Sequence, residues 1–289
     1  MKSLDQRKDN CTRQTVADPM PPCVNLSCQS IPVKTSLTCL PALAVPCGLL
    51  FLLLNGCNPT KPSDDDDGFI SVFDGKTLNG WEGDSTYWRV EDGNLVGEVT
   101  PATLLDRNSF LIWRGGLTDD FELKVEYRVS ADGNSGINYR SEEIEGVPRA
   151  LRGYQCDIDG ANRYTGMNYE ERRRTTIARQ GQRVVLDPVE DPSAPLSAYI
   201  ENNRWTKTIV KDTLANVDSL KSTLKPNEWH RVHLIVKGNR MQHYINGVLV
   251  SDVTDNDTIN RRSSGLLGVQ VHVGPPMKIE YRNFRLKKG

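Results

Sequence analysis

Chemistry-bearing side chains crowd into one stretch of this 289-residue chain, from Gly133 to Arg174. Tyr154-Gln155-Cys156-Asp157-Ile158-Asp159 alternates as a strand does. Tyr154, Cys156 and Ile158 share one face, and Gln155, Asp157 and Asp159 share the other. Two carboxylates two residues apart on one strand face stand roughly 7 Å apart. Each can raise the other's pKa, or both can hold a cation. Gly136 to Arg140 alternates too, with Asn138 and Arg140 on a common face. Downstream, Tyr164-Thr165-Gly166 reads as a turn. Tyr169-Glu170-Glu171 then brings two more carboxylates before Arg172-Arg173-Arg174. The commoner fate of such residues is a solvated outer face of an antiparallel sheet.

A second candidate base is His272. Gln270 and His272 alternate with Val269, Val271 and Val273, so they define a polar strand face. His230 and His233 fall on opposite faces of one strand, and His243 sits beside a hairpin turn. These three read as structural. Cys156 points to the apolar face of its strand and reads as a small buried hydrophobe.

The elements that must position these residues are strands. Residues 68–289 show no convincing long helical period, and their length suits one large all-β domain. Residues 68–73, Phe110–Trp113 and the alternating Phe121–Val129 are expected strands. Glu122, Lys124, Glu126 and Arg128 should form a solvated outer face. Tyr87 to Glu91 and Asn94 to Glu98 flank Asp92-Gly93 as a hairpin. Trp229–Val236, Arg240–Ile245 and Val248–Val253 form a second hairpin region around Asn246-Gly247. Gly265–Val273 and Met277–Leu286 close the domain. Residues 180–217 are the least regular part and read as an insertion over one face. Many strands joined by tight turns make a two-sheet sandwich or jelly roll.

Residues 1–56 read as a leader. Leu40 to Leu54 is an apolar run of about 15 residues, short for a membrane span and right for a signal-peptide core. Asn55-Gly56-Cys57 after it resembles a lipobox, with Cys57 as the acylated first residue of the mature chain. Met20 or a later residue offers an alternative start, with Lys34 the main positive charge ahead of the run. An uncleaved anchor helix is the competing reading, and either puts the rest outside the cytoplasm. Residues 57–67, with four consecutive aspartates, read as an extended tether. Of seven cysteines, six lie at or before position 57, so the domain has no internal disulfide. Removing five Lys/Arg and three Asp/Glu with the leader takes the net charge from −1 to −3. Nothing in this balance suggests a nucleic-acid partner.

An ordered set of segments carries a resemblance. They include Phe73-Asp-Gly-Lys-Thr-Leu-Asn-Gly-Trp81, Trp88-Arg-Val-Glu-Asp-Gly93, Phe110-Leu-Ile-Trp-Arg114 and Asp120-Phe-Glu-Leu123. Gly133-Asn-Ser-Gly-Ile137, Gly153-Tyr-Gln-Cys-Asp-Ile158 and Tyr164-Thr-Gly166 follow. Glu228-Trp229, Ile245-Asn-Gly247, Gly268-Val-Gln-Val-His272 and Arg282-Asn-Phe284 complete it. Together they resemble the 3-keto-disaccharide hydrolase family. Many relatives carry glutamate where Gln155 stands and glutamine where Asp157 stands. This chain looks like a subgroup with glutamine, then aspartate, then Tyr169-Glu170-Glu171.

The resemblance implies an antiparallel jelly-roll sandwich of the concanavalin-A-like lectin/glucanase type. It also implies cleavage of a glycosidic bond in a sugar already oxidised at C3, an oxidised oligosaccharide being the partner. A 3-keto group acidifies the C2 proton, so a base can remove it, the C1 group departs and water adds back. Such chemistry needs one base near neutrality, an acid for the leaving oxygen and donors on the enolate oxygen. Asp157, His272, Glu170 and Glu171 are the catalytic candidates. Arg140, Gln155, Arg114, Glu98 and Gln270 are candidates for binding hydroxyls or the enolate. Trp113, Tyr139 and Tyr164 are candidates for stacking on the ring. Asp157, Asp159 and His272 are candidate ligands of a divalent cation. The alternative is a carbohydrate-binding module without chemistry, since one fold hosts both. An ordinary glucanase would want paired glutamates on one strand at i and i+4, and Gln155-x-Asp157-x-Asp159 supplies none.

Overall fold

The structure is a computed structural model and describes residues 68–289. The expected leader, the tether of residues 57–67 and the acyl acceptor Cys57 lie outside the described residues. The first strands in chain order are β1 (Ile70–Ser71), β2 (Trp81–Glu82), β3 (Trp88–Glu91), β4 (Asn94–Val99) and β5 (Ser109–Thr118). Then come β6 (Phe121–Val129), β7 (Asn134–Ile144), β8 (Val147–Asp159), β9 (Asn168–Glu171) and β10 (Thr175–Ala178). After them run β11 (Gln182–Leu186), β12 (Ile200–Glu201), β13 (Arg204–Trp205), β14 (Thr208–Thr213) and the short helix α1 (Val217–Thr223). The chain closes with β15 (His230–Lys237), β16 (Arg240–Ile245), β17 (Val248–Asp255), β18 (Gly265–Val271) and β19 (Met277–Lys288).

Two sheets form a jelly-roll sandwich. One has the order β14-β11-β17-β16-β15-β6-β19-β4-β3, with β1 beside β19. The other runs β12-β13-β10-β9-β8-β7-β18-β5-β2. Pairing is antiparallel except at two places near the edges, β11 with β17 and β10 with β13. Period-2 alternation explains the layering. Leu123, Val125 and Tyr127 of the first sheet face Ile137, Tyr139, Cys156 and Val269 of the second in one buried core. Each such side chain contributes about 1.5–3 kcal/mol by leaving water.

Two expectations fail here. Residues 68–73 hold only a two-residue strand, because Ile70 is 57% exposed and has no core to enter. Residues 180–217 are not an irregular cover. Their strands β11 and β14 extend the first sheet, and β12 and β13 extend the second. The outward row of β6 is ion-paired across the sheet, Glu122 with His233 and Glu126 with Arg282.

Candidate functional site

The outer face of the second sheet carries the polar cluster. Tyr154, Cys156 and Ile158 of β8 enter the core, so Gln155 and Asp157 must point outward. Across the sheet, Gln155 pairs in register with Tyr169 on β9 and with Asn138 on β7. Asp157 pairs with Gly136, and Gly136 pairs with Gln270 on β18. These side chains therefore share a face. Gly136 leaves room for the Gln155 side chain, since a Cβ there would stand 2.5 Å from Gln155 Cδ. Beside this polar patch the same face is apolar, with Phe110, Ile112 and Leu151 packed together.

Two hydrogen-bonded chains cross the patch. Asn138 Nδ2 donates to Gln155 Oε1 at 2.8 Å, and Gln155 Nε2 donates to Asp157 Oδ1 at 2.7 Å. Gln270 Nε2 donates to Glu171 Oε2 at 3.2 Å, and Asn108 Nδ2 donates to Glu171 Oε1 at 3.4 Å. Each amide relay ends on an acceptor without a partner, Asn138 Oδ1 and Gln270 Oε1, both buried. An unpaired buried acceptor costs about 1–3 kcal/mol, so this face departs from what stability alone would select.

Burial pushes the Asp157 carboxyl from 3.8 up to about 8; the Gln155 hydrogen bond opposes this, and Glu171 and Asp159 add to it. Burial also raises Glu171, against the hydrogen bond from Gln270 and the charge of Arg172. Burial, then the Glu171 and Asp157 charges, lift the Tyr169 phenol to about 12. Asp157 and Glu171 each keep 8% exposure, enough for an edge to reach solvent. The His272 ring stands close enough for its charge to act on Glu171. Its Nδ1 donates to Val273 O at 2.5 Å, which leaves Nε2 as the open ring nitrogen.

Gln155, Asp157, Glu171, Gln270 and His272 thus belong to one neighbourhood. Other sequence candidates lie elsewhere. Glu170 is one residue from Glu171, and alternation sends it to the opposite face. There it is fully buried, with Arg174 Nε at 2.5 Å and Arg173 Nε at 3.1 Å. Arg140 is 2% exposed and is spent on three loops, donating to Asp119 O and Gly238 O at 2.8 Å each, to Arg262 O at 3.3 Å and to Asp120 Oδ1 at 3.1 Å. It lines a cavity of 420 Å³ with Asp120, Asn239 and Arg262, and Asp157 is not part of that lining. Arg114 pairs with Glu82 and Glu143 at the surface. Glu98 is on the other sheet, paired with Arg89 at 2.6 Å. Trp113 and Tyr139 are core residues, the latter donating to His243 Nε2 at 2.8 Å. Tyr164 is 40% exposed on the turn after β8, against the Arg163 guanidinium at 5.2 Å.

The expected ligand trio does not assemble. Asp159 accepts from Arg163 N at 2.8 Å and Ala161 N at 3.2 Å, which ties its carboxylate to the following turn. No group of three or more His, Cys, Asp or Glu suited to a metal occurs among the described residues. Three residues of the patch are not among the site candidates that the sequence offers: Asn138, Asn108 and Tyr169. Asn138 and Tyr169 align with Gln155 on adjacent strands, a signal available only once the register is known.

A curated 3-keto-disaccharide hydrolase of Bacteroides thetaiotaomicron is 36% identical over 94 residues, covering 28% of this chain and 30% of the relative. The match thus spans about a third of that relative's length. A candidate glycosyl hydrolase from Parabacteroides distasonis superposes with a TM-score of 0.49 at 18% identity, over 77% of this chain and 94% of that one. The carbohydrate-binding module CBM66 of Bacillus subtilis gives 0.43 at 15% identity, over 72% and 96%. A family model described as "3-keto-alpha-glucoside-1,2-lyase-like domain" matches residues 68–287, essentially all of the described chain. The chain belongs to the 3-keto-alpha-glucoside-1,2-lyase-like domain family.

Proposed function

We propose that this domain cleaves the glycosidic bond of a sugar oxidised at C3, with Asp157 as the base. One observation supports this most: a carboxyl raised to about 8, partly reachable, beside a second raised carboxyl. Ordinary glycoside hydrolysis pairs a raised carboxylic acid with an ionised carboxylate nucleophile or base, whereas here both carboxyls are raised. A proton on the carbon next to a ketone asks for a base near neutrality, which a carboxylate at about 8 matches.

The steps balance as follows. Asp157 takes the C2 proton, and the electron pair forms the enolate of the C3 ketone. The pair then expels the C1 oxygen, which leaves a C1–C2 double bond conjugated to the ketone. Glu171 supplies the proton to the departing oxygen. Water adds at C1 and gives its proton to Glu171, and Asp157 returns its proton to C2. The second N–H of the Gln155 and Gln270 amides offers donors for the enolate oxygen. Gln270 Oε1 offers an acceptor for a ring hydroxyl. On this reading the domain works outside the cytoplasm, held by a lipid on Cys57, and the apolar run ending before Gly56-Cys57 supports it.

The test incubates the protein with a 3-keto-disaccharide and with its unoxidised parent, with and without chelator. Cleavage of the oxidised sugar alone is expected, and Asp157→Asn should lose on the order of a hundredfold or more in kcat/KM. His272→Ala in the same assay shows whether the imidazole shares the proton transfers. Turnover of the parent alone would mean an ordinary glycosidase. Turnover of neither would leave a sugar-binding module.

A further inference from the structure

The amides behind Asp157 have a direction. An ionised carboxylate only accepts hydrogen bonds, whereas a primary amide donates at one end and accepts at the other. Ionised Asp157 therefore requires Gln155 Nε2 toward it, as observed at 2.7 Å. Gln155 Oε1 then faces Asn138, which must offer Nδ2, as observed at 2.8 Å. Asn138 Oδ1 is left on the far side, buried and unpaired. A protonated Asp157 reverses the logic. Its hydroxyl can donate to Gln155 Oε1, Gln155 Nε2 can then donate to Asn138 Oδ1, and Asn138 Nδ2 becomes the unpaired group instead.

We infer that Asn138 and Gln155 form a two-amide relay that sets the charge state of Asp157, with Asn138 acting as a positioning residue through Gln155. Asn138 does not touch Asp157 in either arrangement. In the observed orientation the relay favours the ionised carboxylate and opposes burial, at the expense of the Asn138 Oδ1 acceptor it leaves unpaired. Other groups facing Asp157 are Glu171 and Tyr169 on β9 and Asp159 on its own strand. Cys156 lies on the opposite side of β8, and His272 and Arg172 act on the neighbouring Glu171. None of these lies between Asn138 and Asp157 in the chain of hydrogen bonds. The catalytic meaning of the relay rests on the reaction proposed above, but its existence does not.

The deciding measurement is an NMR titration of the full chain without substrate. It follows the Asp157 carboxyl carbon and the side-chain amides of Gln155 and Asn138. Both amides should shift with the same midpoint as the carboxyl. Titration of Asp157 with both amides unmoved would overturn the relay. Variants give a second, independent reading. Asn138→Asp can only accept when ionised, so it turns Gln155 and should raise the Asp157 midpoint by about one unit or more. In a Gln155→Leu background most of that shift should vanish. An equal shift in both backgrounds would mean charge acting through space and would sink the idea. Where the variants do not fold, the wild-type titration stands alone. The acid limb of the kcat/KM profile should move with the NMR midpoint. A wild type inactive on every 3-keto sugar would remove the proposed reaction and leave the titration result intact.

Discussion

Asp157 and His243 pull stability in opposite directions as pH changes. Burial lowers the His243 imidazole from 6.5 to about 4, against hydrogen bonds to the Gly166 and Met167 carbonyls. The unfolded chain therefore binds a proton that the native state refuses, and His243 costs stability as pH falls from about 6.5 toward 4. Asp157 has the opposite sign. Its native form keeps a proton that the unfolded chain releases, so stability falls as pH rises from 3.8 to about 8. Above pH 6.5 the histidine contribution fades, and Asp157, with the raised Glu171 acting in the same direction, sets the slope. Urea denaturation should show the wild type losing about 2 kcal/mol between pH 6.5 and 8. Asp157→Asn should flatten that slope, and a slope that persists in the variant would show that another group carries it. Activity should run the other way, with kcat/KM rising as pH approaches 8 and the base ionises.

At the scale of elements, β9 sends two neighbouring glutamates to opposite faces. Glu170 faces inward to a buried network in which Arg174 Nη2 also meets Asp255 at 2.6 Å and Tyr154 Oη at 3.1 Å. Glu171 faces outward to Gln270 and Asn108. The two should fail differently. Arg174→Met leaves Asp255 without its counter-charge and Glu170 with Arg173 alone, and should cost about 3–5 kcal/mol. Its urea midpoint should drop while activity per folded molecule stays near wild type. Glu171→Gln should keep or raise stability, because a buried carboxylate is neutralised, yet lose most of the turnover. Equal loss of activity per folded molecule in both variants would show that the inward network also serves the reaction. Gly153, in β8 at φ +151, should tolerate no side chain, because a Cβ would come 2.7 Å from Ser141 Cα on β7.

At the scale of the molecule, the sandwich leaves one outer face ion-paired and the other polar and partly apolar. The lipid anchor proposed at Cys57 makes a separable prediction. Cys57→Ser should move the protein from the membrane to the soluble fraction without changing turnover. Fractionation and mass spectrometry of the N-terminal peptide check this, and a soluble wild type would dismiss the anchor.

Much of this architecture is legible in the chain because strands announce themselves by period 2. Phe121–Val129 and Arg240–Ile245 coincide with β6 and β16 to the residue. The same period put Gln155 and Asp157 together and told Cys156 from both. It could not tell which of Glu170 and Glu171 faces outward, because strand β9 is four residues long and begins after a turn of free phase. Nor could it see that Arg140 is a clamp on three loops or that Trp113 is core. A side chain's partners come from other strands, and local sequence holds no information on their register. Cross-strand pairing alone brought Asn138 beside Gln155 and Gln270 beside Glu171. That pairing, with the burial it imposes, turns two ordinary carboxylates into the raised pair on which the proposed chemistry depends.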